Sequence, residues 1–155
     1  MTDTPALGDP RLQDMPHRVV RHGPVPSLEE AAKARGMSPR QVMKTMLVRR
    51  AADDYVFVLV PGDRVISWPK LRQHLGVNRA TMPDADEAYA VTGYRRGTIT
   101  PLGSSQPWPV VADERVSGEV SIGGGDHGVS LTVSADDLVR ALEAEVADVT
   151  DAAAH

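Results

Sequence analysis

Residues 53–63 read DDYVFVLVPGD. Asp53-Asp54 ahead of the run and Pro61-Gly62-Asp63 behind it are turn signals. Between them, Tyr55 to Val60 is continuously apolar and rich in β-branched residues. A run that is apolar at every position, rather than at alternate ones, marks a strand buried on both faces. The fold must therefore cover this strand from two sides.

Working outward, MLVRR (46–50) reads as a neighbouring strand. Before it, Ser38-Pro39 has the N-cap and first-turn residues of a helix, predicted to carry RQVMK. Ser27-Leu-Glu-Glu is a capping box opening the helix LEEAAKAR, which stops at Gly36. HRVVRH (17–22) is a short strand ended by Pro24 and Pro26. Residues 1–16 hold three prolines and little periodicity, and are read as a flexible lead-in.

On the other side, residues 64–67 suit a strand fragment, and Trp68-Pro69 opens a helix closed by Gly76. NRATM (78–82) is expected as a short strand. Pro83 to Ala90 suits a helix with an acidic first turn. Glycine and proline punctuate TGYRRGTITPLGSSQPWP (92–109) too often for a regular element. VVADE, GEVSI and VSLTV read as strands, with GGGDHG (123–128) as a loop. Ser134 caps a last helix, ADDLVRALEAEVADV, and TDAAAH (150–155), with the tail proper at 151–155, is expected to fray. Strands and helices alternate irregularly, so the expected fold is α+β, a single domain over 17–150 with a mixed sheet.

The 155 residues suffice for one core. Their net charge of −4 argues against coating long nucleic acid, but not against gripping a short end through a local basic patch. The absence of cysteine removes thiolate nucleophiles, thiolate metal sites and disulfide scaffolds. No apolar run reaches the roughly 20 residues that span a bilayer, and the first residues lack a signal-peptide core. The expectation is a cytoplasmic protein with no membrane contact.

Several catalytic motifs are excluded by the residues present. No G-x-S-x-G elbow is present. Lys44-Thr45 matches the end of a phosphate loop, but Met43 stands where glycine is required. GGGDHG is followed by a strand rather than a helix, so it lacks the helix terminus of a dinucleotide site. The five histidines have no metal-ligand spacing. No metal or cofactor is expected. What remains is Gly93-x-x-x-Gly97-x-x-x-Pro101-x-Gly103, the loop Gly123 to Gly128, and Lys44. On the residues alone the loops are either plain turns or backbone brought close to a ligand. Lys44 is either a solvated lysine or part of a site. Only three of the 17 basic residues are lysine, which makes Lys44 conspicuous.

Taken in order, SLEEAAKARGMSPRQVMKTMLV, YVFVLVPGDRVISWPKLRQHLG, TGYRRGTITPLG and VSIGGGDHGVSLTV resemble the YbaK/ProX family of free-standing aminoacyl-tRNA deacylases. These are relatives of the editing domain of bacterial prolyl-tRNA synthetase. The resemblance covers about residues 18–149. It implies a mixed sheet or partly closed barrel flanked by helices. It also implies hydrolysis of the ester of a mischarged tRNA, that for proline carrying Cys, Ala or a similar small amino acid, by substrate-assisted attack of water. By position, Lys44, Gly97 and Pro101 match the catalytic motif residues. Thr45, Gly93, Ile99, Gly103, Gly123, Gly124 and Gly128 would line the pocket, with His127 a candidate beside them. Arg49, Arg95 and Arg96, with Arg50, would form a positive rim for the tRNA acceptor end. Prolyl-tRNA synthetase is a further expected partner, and monomer and homodimer both stay open. Two other readings are a non-catalytic aminoacyl-tRNA- or synthetase-binding module of the same fold and an unrelated small-molecule-binding domain.

Overall fold

A computed structural model describes residues 4–21, 30, 32–33 and 35–153. The strands are β1 (His17–Arg21), β2 (Met43–Ala51), β3 (Asp54–Pro61), β4 (Arg64–Ile66), β5 (Val110–Asp113), β6 (Glu119–Gly123), β7 (Val129–Ser134), β8 (Glu145–Ala147) and β9 (Thr150–Ala152). The helices are α1 (Pro10–Gln13), α2 (Trp68–Leu75), α3 (Ala85–Thr92) and α4 (Ala135–Leu142). Two single 3₁₀ turns occupy Pro5–Gly8 and Pro39–Gln41. Glu30, Ala32 and Lys33 are helical. The capping box at Ser27 and the turn at Pro24 and Pro26 lie outside the described residues.

The central strand is β3, and every residue from Tyr55 to Pro61 is buried. Its side chains alternate between two cores. Tyr55, Phe57 and Leu59 join one cluster with Leu12, Ile122, Leu131 and Leu138. Val56, Val58 and Val60 join a second with Val48, Leu71 and Val149. Each fully buried side chain of this size contributes about 1.5–3 kcal/mol, so the strand is buried on both faces for a simple energetic reason.

β3 pairs antiparallel with β2 and parallel with β5, and β5 pairs parallel with β8, giving the order β2-β3-β5-β8. A second sheet has the order β1-β7-β6, all antiparallel, and β4 pairs with β9. A parallel bridge between Val42 and Ser121 joins the two larger sheets. The result is the α+β class with mixed pairing.

Several expectations are corrected. Residues 4–15 are not a flexible lead-in: Ala6 and Leu12 have no exposed area, and Met15 is buried with them. The helix expected through RQVMK is one 3₁₀ turn, because Val42 is already bridged and Met43 already paired with Pro61. NRATM contributes only the Thr81–Arg49 bridge. The last helix ends at Leu142, where Glu143 adopts a left-handed conformation (φ 52°) and caps it. The chain then runs along the open edge of β5 as β8. The tail is not frayed at its start, since Thr150 is buried in β9. The buried Asp113 carboxylate pins this end. It accepts hydrogen bonds from Thr150 Oγ1 (2.9 Å) and the Val149 N–H (3.2 Å).

Candidate active site

The Val42–Ser121 bridge determines what faces what. Bridged partners point their side chains to one side, and positions two apart share a face. Val42 and Lys44 therefore share the face of Ser121, and Gly123 continues the row on β6. Lys44 is partly buried and pairs with Val60 across the strands. Its ammonium donates a hydrogen bond to the Arg64 carbonyl. Burial lowers the Lys44 pKa, and the nearby Asp63 carboxylate offsets part of this. Arg64 is itself held by Thr150, whose Oγ1 accepts from Arg64 Nε at 2.6 Å.

The two glycine-rich loops meet each other. The Ile99 carbonyl lies 3.7 Å from where a Cβ on Gly123 would stand. A Cβ on Gly97 would stand 3.3 Å from His127 Cε1, so the bare backbone of one loop lies under the histidine of the other. His127 is exposed, and its N–H donates to Asp126 Oδ1 at 2.8 Å. Neither the N–H nor the carbonyl of Ile99 has a hydrogen-bond partner among the described residues. That leaves a polar backbone group free for a ligand or water at the point where the loops touch.

The loop from Gly93 to Gly103 is braced internally. Gly93 caps α3 and donates to the Tyr89 carbonyl at 2.8 Å. The buried Tyr94 hydroxyl donates to the Leu102 carbonyl at 2.6 Å. Burial first, then the Asp9 charge, pushes the Tyr94 pKa up to about 12, so it stays a donor. Thr98 Oγ1 donates to the Arg95 carbonyl at 2.7 Å. Pro101 and Leu102 are buried.

A third segment clamps both loops, and the sequence reading missed it. Asp9 Oδ2 accepts from the Gly103 N–H at 2.8 Å, and Arg11 Nη2 donates to the Pro101 carbonyl at 3.2 Å. The Thr4 hydroxyl donates to the Gly124 carbonyl. A Cβ on Gly103 would stand 2.3 Å from the Pro5 carbonyl carbon, so the two backbones touch. A signal was present: Asp9-Pro10 is an N-cap followed by proline at the first helical position. Asp9 accepts from the Arg11 N–H at 2.8 Å.

The remaining expected residues are dispersed. Thr45 turns to the opposite face from Lys44, with its partner Leu59, and its buried hydroxyl has no hydrogen-bond partner. Gly124 closes the turn before β7, donating to the Val129 carbonyl at 2.9 Å, and Gly128 has a positive φ of 77°. Arg95 and Arg96 are exposed beside Gly97, and Arg95 stacks over the Tyr89 ring at 5.6 Å. Arg49 does not join them in one rim with Lys44. It sits five residues along β2, about 16 Å away at strand spacing, on the other face. It pairs with Glu87 at 3.6 Å. With Arg50 and Arg79 it lines a separate shallow cleft of about 300 Å³.

Comparison with known proteins gives these features a family. Residues 22–141 match the aminoacyl-tRNA editing domain. Proline–tRNA ligase of Desulforamulus reducens is 35% identical over 103 residues, covering 66% of this chain and 18% of the ligase. The chain thus spans about a fifth of that relative's length. An Enterococcus faecalis protein named "Putative Cys-tRNA(Pro)/Cys-tRNA(Cys) deacylase EbsC" is 21% identical over 126 residues, covering 80% of this chain and 77% of that protein. Among solved structures, hypothetical protein APE2540 superimposes with a TM-score of 0.81 at 27% identity, covering 91% of this chain and 95% of that one. A structure titled as a putative trans-editing enzyme for prolyl tRNA synthetase gives a TM-score of 0.84 at 22% identity, covering 97% and 99%. The chain belongs to the aminoacyl-tRNA editing domain family, in agreement with the resemblance to YbaK/ProX proteins.

Proposed function

We propose that the chain hydrolyses, in trans, the ester joining a wrongly attached amino acid to the terminal adenosine of a tRNA. The relatives' names favour tRNA for proline, and one of them Cys as its wrong amino acid; Ala or another small amino acid belongs to the wider class that the family resemblance implies. One observation carries this reading. A strand seam places the Lys44 row beside Gly123, and two touching loops offer the unpartnered Ile99 backbone at the same place.

An ester needs no strong protein nucleophile. Water adds to the acyl carbon and the ribose oxygen leaves, taking the proton that the water gives up. The free ribose hydroxyl can orient that water. Lys44 supplies a compact cation that fixes the substrate, and the loop backbone holds the acyl group and water in line. Arg95 and Arg96 offer positive charge at the mouth. His127 is placed to close over Gly97.

The test is a panel of mischarged proline tRNAs. Wild type should release the wrong amino acid, and Lys44→Ala should lower kcat/KM by about 100-fold or more with little change in Tm. Lys44→Arg should recover little, because a planar fork does not replace an ammonium. Unchanged hydrolysis in Lys44→Ala refutes the role of Lys44. Tight binding of aminoacyl-tRNA without turnover would instead make the chain a non-catalytic binding module.

A further inference from the structure

Arg35 stands on the same face as this site, and none of the chemistry above uses it. It follows the helical residues 30–33, is partly buried, and donates from Nη1 to Ser121 Oγ at 3.0 Å. Its Nε is buried and has no hydrogen-bond partner. Among the described residues, no carboxylate lies within 4.0 Å of it. Burial lowers its pKa. A guanidinium that is partly desolvated, with one donor buried unbonded and no carboxylate partner among the described residues, is costly to keep.

Its surroundings are hydroxyl-bearing. Ser121 is fully buried and lies opposite Thr132 on β7, whose buried hydroxyl also has no partner. Ser121 accepts from Arg35, which leaves the serine O–H free to donate elsewhere. Ser121 is bridged to Val42, two residues before Lys44, and lies two residues before Gly123. Ser121, the partner of Arg35, is thus two residues, about 7 Å, from Gly123, where the loops touch.

We infer that Arg35, oriented by its hydrogen bond to the buried Ser121 hydroxyl, binds a phosphodiester of the RNA 3′ end, next to the adenosine that carries the ester. The inference rests on the deacylase reading for its ligand. The aminoacyl group of such a substrate is an ester with a cationic amine. The anions it brings to this face are therefore its phosphodiesters. A guanidinium fork matches two phosphate oxygens, and Arg35 keeps Nη donors beyond the one bonded to Ser121 for that contact.

The test compares wild type, Arg35→Gln and Arg35→Lys. The probe is a short single-stranded RNA ending in CCA, titrated at several salt concentrations, alongside deacylation kinetics and thermal melting. Arg35→Gln should raise Kd and KM about tenfold and flatten the log–log salt slope by about 0.7, the value for one phosphate on a single strand. It should leave kcat within about twofold, and Tm unchanged or higher, because an uncompensated charge is gone. Arg35→Lys should restore the slope but not the affinity, since it keeps the charge and loses the fork. An unchanged slope and Kd overturns the inference, as does a fall in Tm with the slope intact, which would make Arg35 a structural tie to Ser121. If wild type hydrolyses mischarged tRNA while Arg35→Gln alters neither slope nor KM, this inference falls and the deacylase reading stands. If RNA binding depends on Arg35 but no ester is cleaved, the reading falls and the phosphate site stands. If wild type neither binds nor hydrolyses, both fall.

Discussion

The two halves of the candidate site are held by different means. Lys44 and Gly123 lie on strands, and a ladder of backbone pairs fixes where they stand. The loop from Gly97 to Gly103 lies on no regular element; besides its internal bonds it is held from outside, by Asp9 and Arg11 acting across 94 and 90 residues of chain. The first half is set by pairing register, where a slip of one residue would turn Lys44 to the other face. The second half depends on a remote segment staying folded. Stability and activity should therefore be coupled in the loop half and separable in the strand half.

The largest effect that tests this difference is Leu12→Ala. Leu12 is fully buried in the core shared with Phe57 and Leu138. Truncating such a side chain costs about 2–5 kcal/mol, which lowers Tm by about 5–15 °C in a domain of this size. Deacylation should fall in parallel as the loop loses its clamp. A variant that melts like wild type would return residues 4–15 to the role of a loose lead-in.

Asp9→Asn is next. It weakens charge-assisted bonds to Gly103 and Arg11, worth about 1.5–3 kcal/mol together. Burial raises the Asp9 pKa, but the Arg11 side chain and the N–H groups of Gly103 and Arg11 outweigh it and hold it below its ordinary 3.8. The native state thus binds fewer protons at this carboxyl than the unfolded chain. The stability it contributes is present above 3.8 and is lost as pH falls through the lower native value. Tm differences between wild type and Asp9→Asn should be constant from about pH 7 to 5 and shrink at lower pH. A difference that grew on acidification would contradict the assigned sign.

The smallest effect belongs to Arg49→Gln. Its ion pair with Glu87 is exposed at 43% and 35%. Such pairs contribute about 0–1 kcal/mol. Tm should move by no more than about 3 °C, and RNA affinity much less than in Arg35→Gln. A steeper loss in Arg49→Gln would place the acceptor end at the far end of β2, and would break the division between a seam-borne site and a remote arginine.

The strand half was legible and the loop half was legible only as a motif, for a physical reason. Tyr55–Val60 announces burial on both faces because the requirement is written in consecutive residues. The helix start at Trp68-Pro69, the stop at Gly76 and the cap at Ser134 were readable for the same reason, and α2 and α4 begin where these signals stand; α3 begins at Ala85, with Asp84 as its N-cap rather than in its first turn. Residues 42–44 are extended rather than helical because local helix signals at Ser38-Pro39 lose to the Val42 bridge and to pairing with β3, eighteen residues away for Met43 and Pro61. The stretch after Leu142 keeps a helical rhythm, yet it pairs with β5. Arg35 carried no signal, because its meaning lies in what is missing around it. Arg49, Arg95 and Arg96 looked equivalent by proximity in sequence, and strand alternation separated them.

Thr4 reaches Gly124, and at the other end the Ala153 N–H donates to the Asp63 carbonyl at 3.2 Å, one residue before the carbonyl that receives Lys44. Both ends of the described chain thus arrive at the borders of the same site. A domain whose ends converge in this way can be spliced into a longer polypeptide without stretching either junction.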